Sequence, residues 1–213
     1  MKNKYCVHRH TIDSHPNCFS TLWYKKPNQR LGYLDIESNG LDANNGRMLS
    51  WAIKPYRENQ ISSDYVKWDD IFEKPGLVNR EFDKRLVMSL LAEMQNYTGF
   101  ATYYGTGFDI KYIRAKAMQY GLQFPRFGEM GHIDLYYQVV GKMKLSRNSL
   151  KVSTKFLGIS GKTDLDFEYW QLACLGDKEA MSELLEHNKQ DVIILEKLHR
   201  ELEPYGKFDR KSL

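Results

Sequence analysis

Asp35, Glu37, Asp109 and Asp191 are four acidic residues placed where strands and helices could aim them at one point. The first two lie in Leu31-Gly-Tyr-Leu-Asp-Ile-Glu-Ser-Asn-Gly40, an apolar run that carries Asp-x-Glu. Alternate residues of a strand share a face, so both carboxylates point the same way. Two like charges on one face of a buried strand repel unless a cation lies between them. Mg²⁺ or Mn²⁺, hard ions that take oxygen ligands, would supply that charge.

Asp109 closes Phe100-Ala-Thr-Tyr-Tyr-Gly-Thr-Gly-Phe-Asp109. This reads as a strand, a Gly-x-Gly loop and then a helix from Asp109 to Tyr120, with Ile110, Ile113 and Ala117 at helical spacing. Taken alone, Asp109 would serve equally well as a helix cap. Asp191 ends His187-Asn-Lys-Gln-Asp191, on a helix whose inner stripe is Leu184, His187, Asp191, Leu195, Leu198 and Leu202. A carboxylate on an otherwise apolar inward stripe is costly without a partner, and a metal ion would be one.

In that order, Asp-Ile-Glu, Tyr-Gly-Thr-Gly-Phe-Asp and His-Asn-x-x-Asp-Val resemble the three exonuclease motifs of the DEDD superfamily, which includes proofreading exonucleases and YprB-type ribonuclease H-like proteins. The resemblance runs from Leu31 to Leu202. His132-Ile-Asp-Leu135, Ser149-Leu-Lys-Val and Phe156-Leu-Gly-Ile159 extend it. One departure stands out: His187 has three residues between it and Asp191, the spacing the family uses with Tyr. The resemblance implies that this residue orients or deprotonates the attacking water, and an imidazole with an ordinary pKa near ~6.5 suits a base at neutral pH.

The resemblance also implies hydrolysis of a phosphodiester with two Mg²⁺ or Mn²⁺ ions. Asp35 would bridge them, Glu37 and Asp191 would hold the ion that activates water, and Asp109 would hold the other. Such a pair stabilises both the attacking and the leaving oxygen. A 3′→5′ exonuclease on a single-stranded end of DNA or RNA is the expected activity. The alternatives are an endonucleolytic or structure-selective ribonuclease on the same scaffold, or a nucleic-acid-binding module without catalysis. Sugar preference is not legible, because contacts to a 2′-hydroxyl depend on geometry.

Charge is unevenly spread along the 213 residues. Residues 1–30 hold six Lys/Arg against Asp13 alone, a net of +5, whereas the remaining 183 carry 25 basic and 26 acidic groups, a net of −1. A cationic arm suits a polyanionic partner. Within it Cys6, His8, His10, His15 and Cys18 put five zinc-capable side chains into thirteen residues. They predict a structural Cys₂His₂ zinc site with either His8 or His10 as the fourth ligand. That knuckle would present Arg9, Lys25, Lys26, Trp23 and Tyr24 to nucleic acid. A second basic stretch, residues 142–155, offers Lys142, Lys144, Arg147 and Lys151 as a phosphate track. Three cysteines fit a reducing compartment, with Cys174 buried in a helix. The Lys- and His-rich beginning has no apolar core like that of a secretory signal, and no apolar run reaches transmembrane length, so a cytoplasmic location is expected.

The elements that must position the acids read as an α/β layer fold: a ribonuclease H-like mixed sheet, antiparallel hairpin strands first and parallel strands after, flanked by helices. Leu31–Glu37 and Met48–Lys54 are the first strands, joined through Asn39-Gly and Asn44-Asn-Gly, and Tyr65–Trp68 belongs to a third. A helix over residues 80–96, a strand at Phe100–Tyr104, the Asp109 helix, a strand near Ile133 and helices to residue 204 follow. Residues 1–30 form the arm, 31–204 the ribonuclease H-like domain, and 205–213 a loose basic tail. The acids would converge at one edge of the sheet, with Tyr103, Tyr104 and Phe108 nearby either stacking on a terminal base or packing in the core.

Overall fold

A computed structural model describes residues 22–75, 77–206, 208 and 211–213. The sheet begins with β1 (Leu31–Ser38), β2 (Met48–Pro55) and β3 (Ser62–Tyr65), and a short helix α1 (Trp68–Ile71) leads into a small hairpin, β4 (Phe72–Lys74) and β5 (Leu77–Val78). Helix α2 (Lys84–Met94), β6 (Gly99–Thr102), α3 (Asp109–Gln119), β7 (Gly131–Asp134) and α4 (Leu135–Lys142) follow. The chain then forms α5 (Leu150–Phe156), α6 (Phe167–Cys174), the long α7 (Lys178–Leu202) and β8 (Lys211–Ser212). Six strands make one sheet in the order β3-β2-β1-β6-β7-β8. β1 pairs antiparallel with β2 and parallel with β6, β6 pairs parallel with β7, and β8 closes the far side antiparallel. The mixed ribonuclease H-like sheet expected from the order of elements is the one formed. Among the described residues no helix is long and apolar enough to cross a membrane.

Side-chain alternation sorts β1 onto two cores. Leu34 and Ile36 face a layer that includes Leu86, Leu90 and Ile113. Leu31 and Tyr33 face the other way, against Leu195, Leu198 and Leu202 of α7. Each such fully buried aliphatic or aromatic side chain contributes roughly 1.5–3 kcal/mol. Because α7 crosses that face of β1 and β2, the next residues on the same side of β1, Asp35 and Glu37, are driven beneath the preceding turns of the helix. Hydrophobic packing thus sets the register of the acids.

Five expectations need correction. Trp23 and Tyr24 are buried, in a 3₁₀ turn at Trp23–Lys25, and so present nothing to a ligand. Tyr24 donates to Glu203 Oε1 at 2.8 Å, and Lys25 pairs with Glu203 at 2.6 Å, which ties the end of the expected arm to α7. Within the expected loose tail, Phe208 is buried and Lys211–Ser212 add β8 to β7, so these residues are held to the fold. Trp68 opens α1 instead of ending the third strand, since the chain turns after Tyr65. Finally, β1 lies inside the sheet, so the acids gather at the carboxyl ends of β1 and β6 and not along a lateral edge. Cys174 ends α6 half-buried, less enclosed than expected. Cys6, His8, Arg9, His10, His15 and Cys18 lie outside the described residues.

Candidate active site

Asp35 and Glu37 leave β1 on the face covered by α7. Asp35 Oδ2 accepts from Asn188 Nδ2 at 2.6 Å, and Asn188 Oδ1 accepts from Ser50 Oγ at 3.3 Å. Glu37 Oε2 accepts from the Trp170 indole at 3.1 Å, and its Oε1 lies 3.7 Å from His187 Nε2. Asp109 is the first residue of α3, not its cap; its Oδ1 accepts from the Ile36 N–H at 3.3 Å, locking it against β1 between the two strand acids. Asp191 sits one turn beyond His187 on α7, buried, and pairs with the Lys162 ammonium. Four carboxylates separated by up to 156 positions in the sequence therefore meet in one place.

Their proximity is written in their acidities. Asp35 is held well above the ordinary carboxyl range by burial first, and then by the charges of Asp191, Asp109 and Glu37. Burial pushes Glu37 up to about 8, and the Trp170 hydrogen bond only partly offsets it. Burial raises Asp109 to about 7, with Asp134 adding repulsion. Carboxylates crowded in this way cannot all ionise without a compensating cation.

Lys162 supplies part of that charge. Its ammonium binds Asp191 and lies 3.4 Å from His187 Nε2. An ammonium can only donate, so Nε2 must carry a lone pair, and the ring proton belongs on Nδ1, 2.6 Å from Thr163 Oγ1. Burial, then the Lys162 charge, lower the pKa of His187 and keep it neutral. The imidazole stands edge-on to Trp170, ring centroids 6.0 Å apart, with Nε2 beside both the Lys162 ammonium and Glu37 Oε1.

Among the described residues no three His, Cys, Asp or Glu side chains are already drawn together as a metal cage. The residues nonetheless fit a hard divalent ion. The donors are carboxylate oxygens, the ionisation of Asp35, Glu37 and Asp109 is frustrated, and Asp191 Oδ1 is buried without a hydrogen-bond partner.

Sequence reasoning missed Lys162, Thr163, Trp170 and Asn188. Asn188 follows His187 directly and could have been read from its helix face. Lys162 and Thr163 lie in the irregular segment between α5 and α6, where no periodicity marks an inward residue. Of the residues expected to touch nucleic acid, Lys26, Lys142, Lys144 and Arg147 are exposed. Lys151 pairs with Asp164 at 2.6 Å and Lys25 with Glu203, so both already have carboxylate partners.

A profile of the RNase H superfamily matches residues 32–203. The chain belongs to that superfamily. Among solved structures it is similar to a family B DNA polymerase from the hyperthermophilic archaeon Pyrobaculum calidifontis, at 18% identity and a TM-score of 0.62. The match covers 84% of this chain and 25% of the polymerase, so the chain spans about a quarter of that protein's length. At this identity the likeness concerns the fold. No curated protein matches the chain. The superfamily and the acid cluster together support a nuclease that uses a divalent metal ion.

Proposed function

We propose that the protein is a metal-dependent 3′→5′ exonuclease of the DEDD type, acting on single-stranded ends of DNA or RNA. The observation that carries this reading is the meeting of Asp35, Glu37, Asp109 and Asp191 under mutual repulsion. The direction of cleavage rests on the resemblance of the three motifs. Asp35, Glu37 and Asp191 would hold one Mg²⁺ or Mn²⁺, and Asp35 with Asp109 a second. Bound there, the ions would lower the pKa of a water and neutralise charge on the phosphoryl oxygens.

The chain's own residues prepare the rest. Once Lys162 turns from it toward the phosphate, His187 Nε2 accepts a proton from water as that oxygen bonds to phosphorus. Thr163, on Nδ1, and Trp170, against the ring, keep that nitrogen aimed. The phosphorus–oxygen bond to the preceding nucleotide then breaks, releasing a nucleoside 5′-monophosphate. Lys162 lies where its charge would be shared between Asp191 and an incoming phosphate. The amino terminus of α3, which begins at Asp109, also favours a phosphate. Exposed Lys142, Lys144 and Arg147 are suited to the strand's backbone through sequence-independent attraction. A zinc knuckle built from Cys6, His8 or His10, His15 and Cys18 is a separate proposal, refuted by the absence of zinc from protein purified without chelator.

The test is an end-labelled single strand, as DNA and as RNA, incubated with Mg²⁺ or Mn²⁺. A ladder of single-nucleotide steps from the 3′ end supports the proposal. Internal cuts favour an endonuclease, and retained binding without cleavage favours a binding module.

A further inference from the structure

A second concave site lies beside the carboxylates without including any of them. Its volume is about 580 Å³, within the range of small-ligand pockets, and its walls come from α3, β7, α4 and the end of the chain around β8. Thr106, in the loop that leads to Asp109, forms part of the wall, so the two sites share one loop.

The electrostatics of this cavity are one-sided. Lys111 and Arg114 are three apart on α3 and so share a helix face, and Lys211 enters from β8. Among the described residues none of the three forms an ion pair; Arg114 instead lies over the Phe124 ring, 5.0 Å from its centroid. Among the described residues the one acidic side chain in the lining is Asp134, and its oxygens accept hydrogen bonds from the backbone. They accept from the N–H groups of Tyr104 at 2.8 Å, Thr106 at 3.0 Å and Tyr136 at 3.1 Å. His132 adds no charge: burial lowers its pKa to about 4, the Asp134 carboxylate offsetting this only in part and Lys211 and Arg114 adding to it, and Nε2 is paired with Thr102 Oγ1 at 2.9 Å. Among the described residues three cations therefore face one hollow with a single carboxylate, Asp134, to balance them, and a bound anion would relieve their repulsion.

The wall also carries an aromatic face. Tyr137 is 49% exposed and is held edge-on to Tyr136, with ring centroids 5.2 Å apart. Cations beside a half-exposed ring suit a ligand that has both a phosphate and a flat base. We propose that this cavity is a second nucleotide site, in which Lys111, Arg114 and Lys211 take the phosphate and Tyr137 takes the base. The ligand is either a free nucleoside monophosphate or one nucleotide of a bound strand.

Titration of the full chain with adenosine 5′-monophosphate in excess chelator tests this without reference to the nuclease, because the metal-free acid cluster repels phosphate. The wild type and Asp35→Asn bind alike. Lys111→Ala/Arg114→Ala and, separately, Lys211→Ala each weaken binding by about tenfold or more, with melting temperatures unchanged. Adenosine, which lacks the phosphate, does not bind. If the occupant is part of a strand, a single-stranded oligonucleotide displaces the mononucleotide and is itself weakened by the same substitutions. If the occupant is the free nucleotide, the oligonucleotide leaves it in place. No binding by the wild type in chelator, or binding that ignores all three cations, overturns the proposal. Either result leaves the nuclease assay unaffected, so the two readings fail separately.

Discussion

Asn188 donates to Asp35 Oδ2 at 2.6 Å while its own oxygen accepts from Ser50, so one carboxamide fixes the central acid of β1 to the neighbouring strand β2. Outer groups that orient metal-binding carboxylates are typically worth about 10–100-fold in affinity or activity. Asn188→Ala should lower kcat by about that factor, with a smaller effect on KM for a labelled strand. An unchanged kcat would remove Asn188 from the positioning of Asp35.

Lys162 holds Asp191 in the absence of metal and so stands in the way of a divalent ion at that acid. Replacing it with Met leaves a buried carboxylate unpaired. Breaking a buried pair from one side costs about 3–5 kcal/mol, less where one partner keeps some solvent, as Lys162 does. Lys162→Met should therefore melt lower than wild type in chelator, recover with Mn²⁺, and bind Mn²⁺ more tightly. A variant as stable as wild type in chelator would contradict this.

Raised carboxyl pKa values have a definite sign in stability. A carboxyl whose folded pKa lies above its unfolded one stabilises fully below the ordinary carboxyl range and loses that contribution as pH rises through the folded pKa. With Asp109 near 7 and Glu37 near 8, metal-free protein should lose melting temperature from about pH 4.5 up to about pH 8 and level off above. Saturating Mn²⁺ should restore it, and Asp35→Asn should flatten the loss while reducing turnover by about a thousandfold or more. Melting curves across that window, with and without metal, check the sign.

His199 tests the opposite sign. Burial lowers its pKa to about 4, and it sits between Tyr24 at 3.1 Å and Tyr33 at 2.8 Å. The unfolded chain takes up this proton first, so stability is intact above about pH 6.5 and falls toward pH 4, by about 3 kcal/mol at most. Denaturant midpoints should fall less steeply with acid in His199→Gln than in wild type. Parallel slopes would show that His199 does not drive the acid loss.

Much of the site was legible because two periodicities carried it. Period two in β1 put Asp35 and Glu37 together, and period 3.6 in α7 put His187 and Asp191 on the stripe that ends in Leu195, Leu198 and Leu202. Asp109 was legible from the Gly-x-Gly loop before a helix. The ends of the fold were not. Leu22-Trp23-Tyr24 is too short a run to show a period and Phe208 is a single aromatic in polar surroundings, so nothing local marks them as core residues; long-range packing on α7 decides that. Lys162 and Trp170 escaped for the same reason, since a side chain that enters a site from an irregular segment or a short helix leaves no pattern.

Calorimetric titration with Mn²⁺ at neutral pH bears most directly on the acid cluster as a metal centre. Wild-type protein should bind about two ions per chain at this site, and Asp35→Asn should lose most of that affinity without unfolding. Identical Mn²⁺ binding by the two proteins would contradict the account.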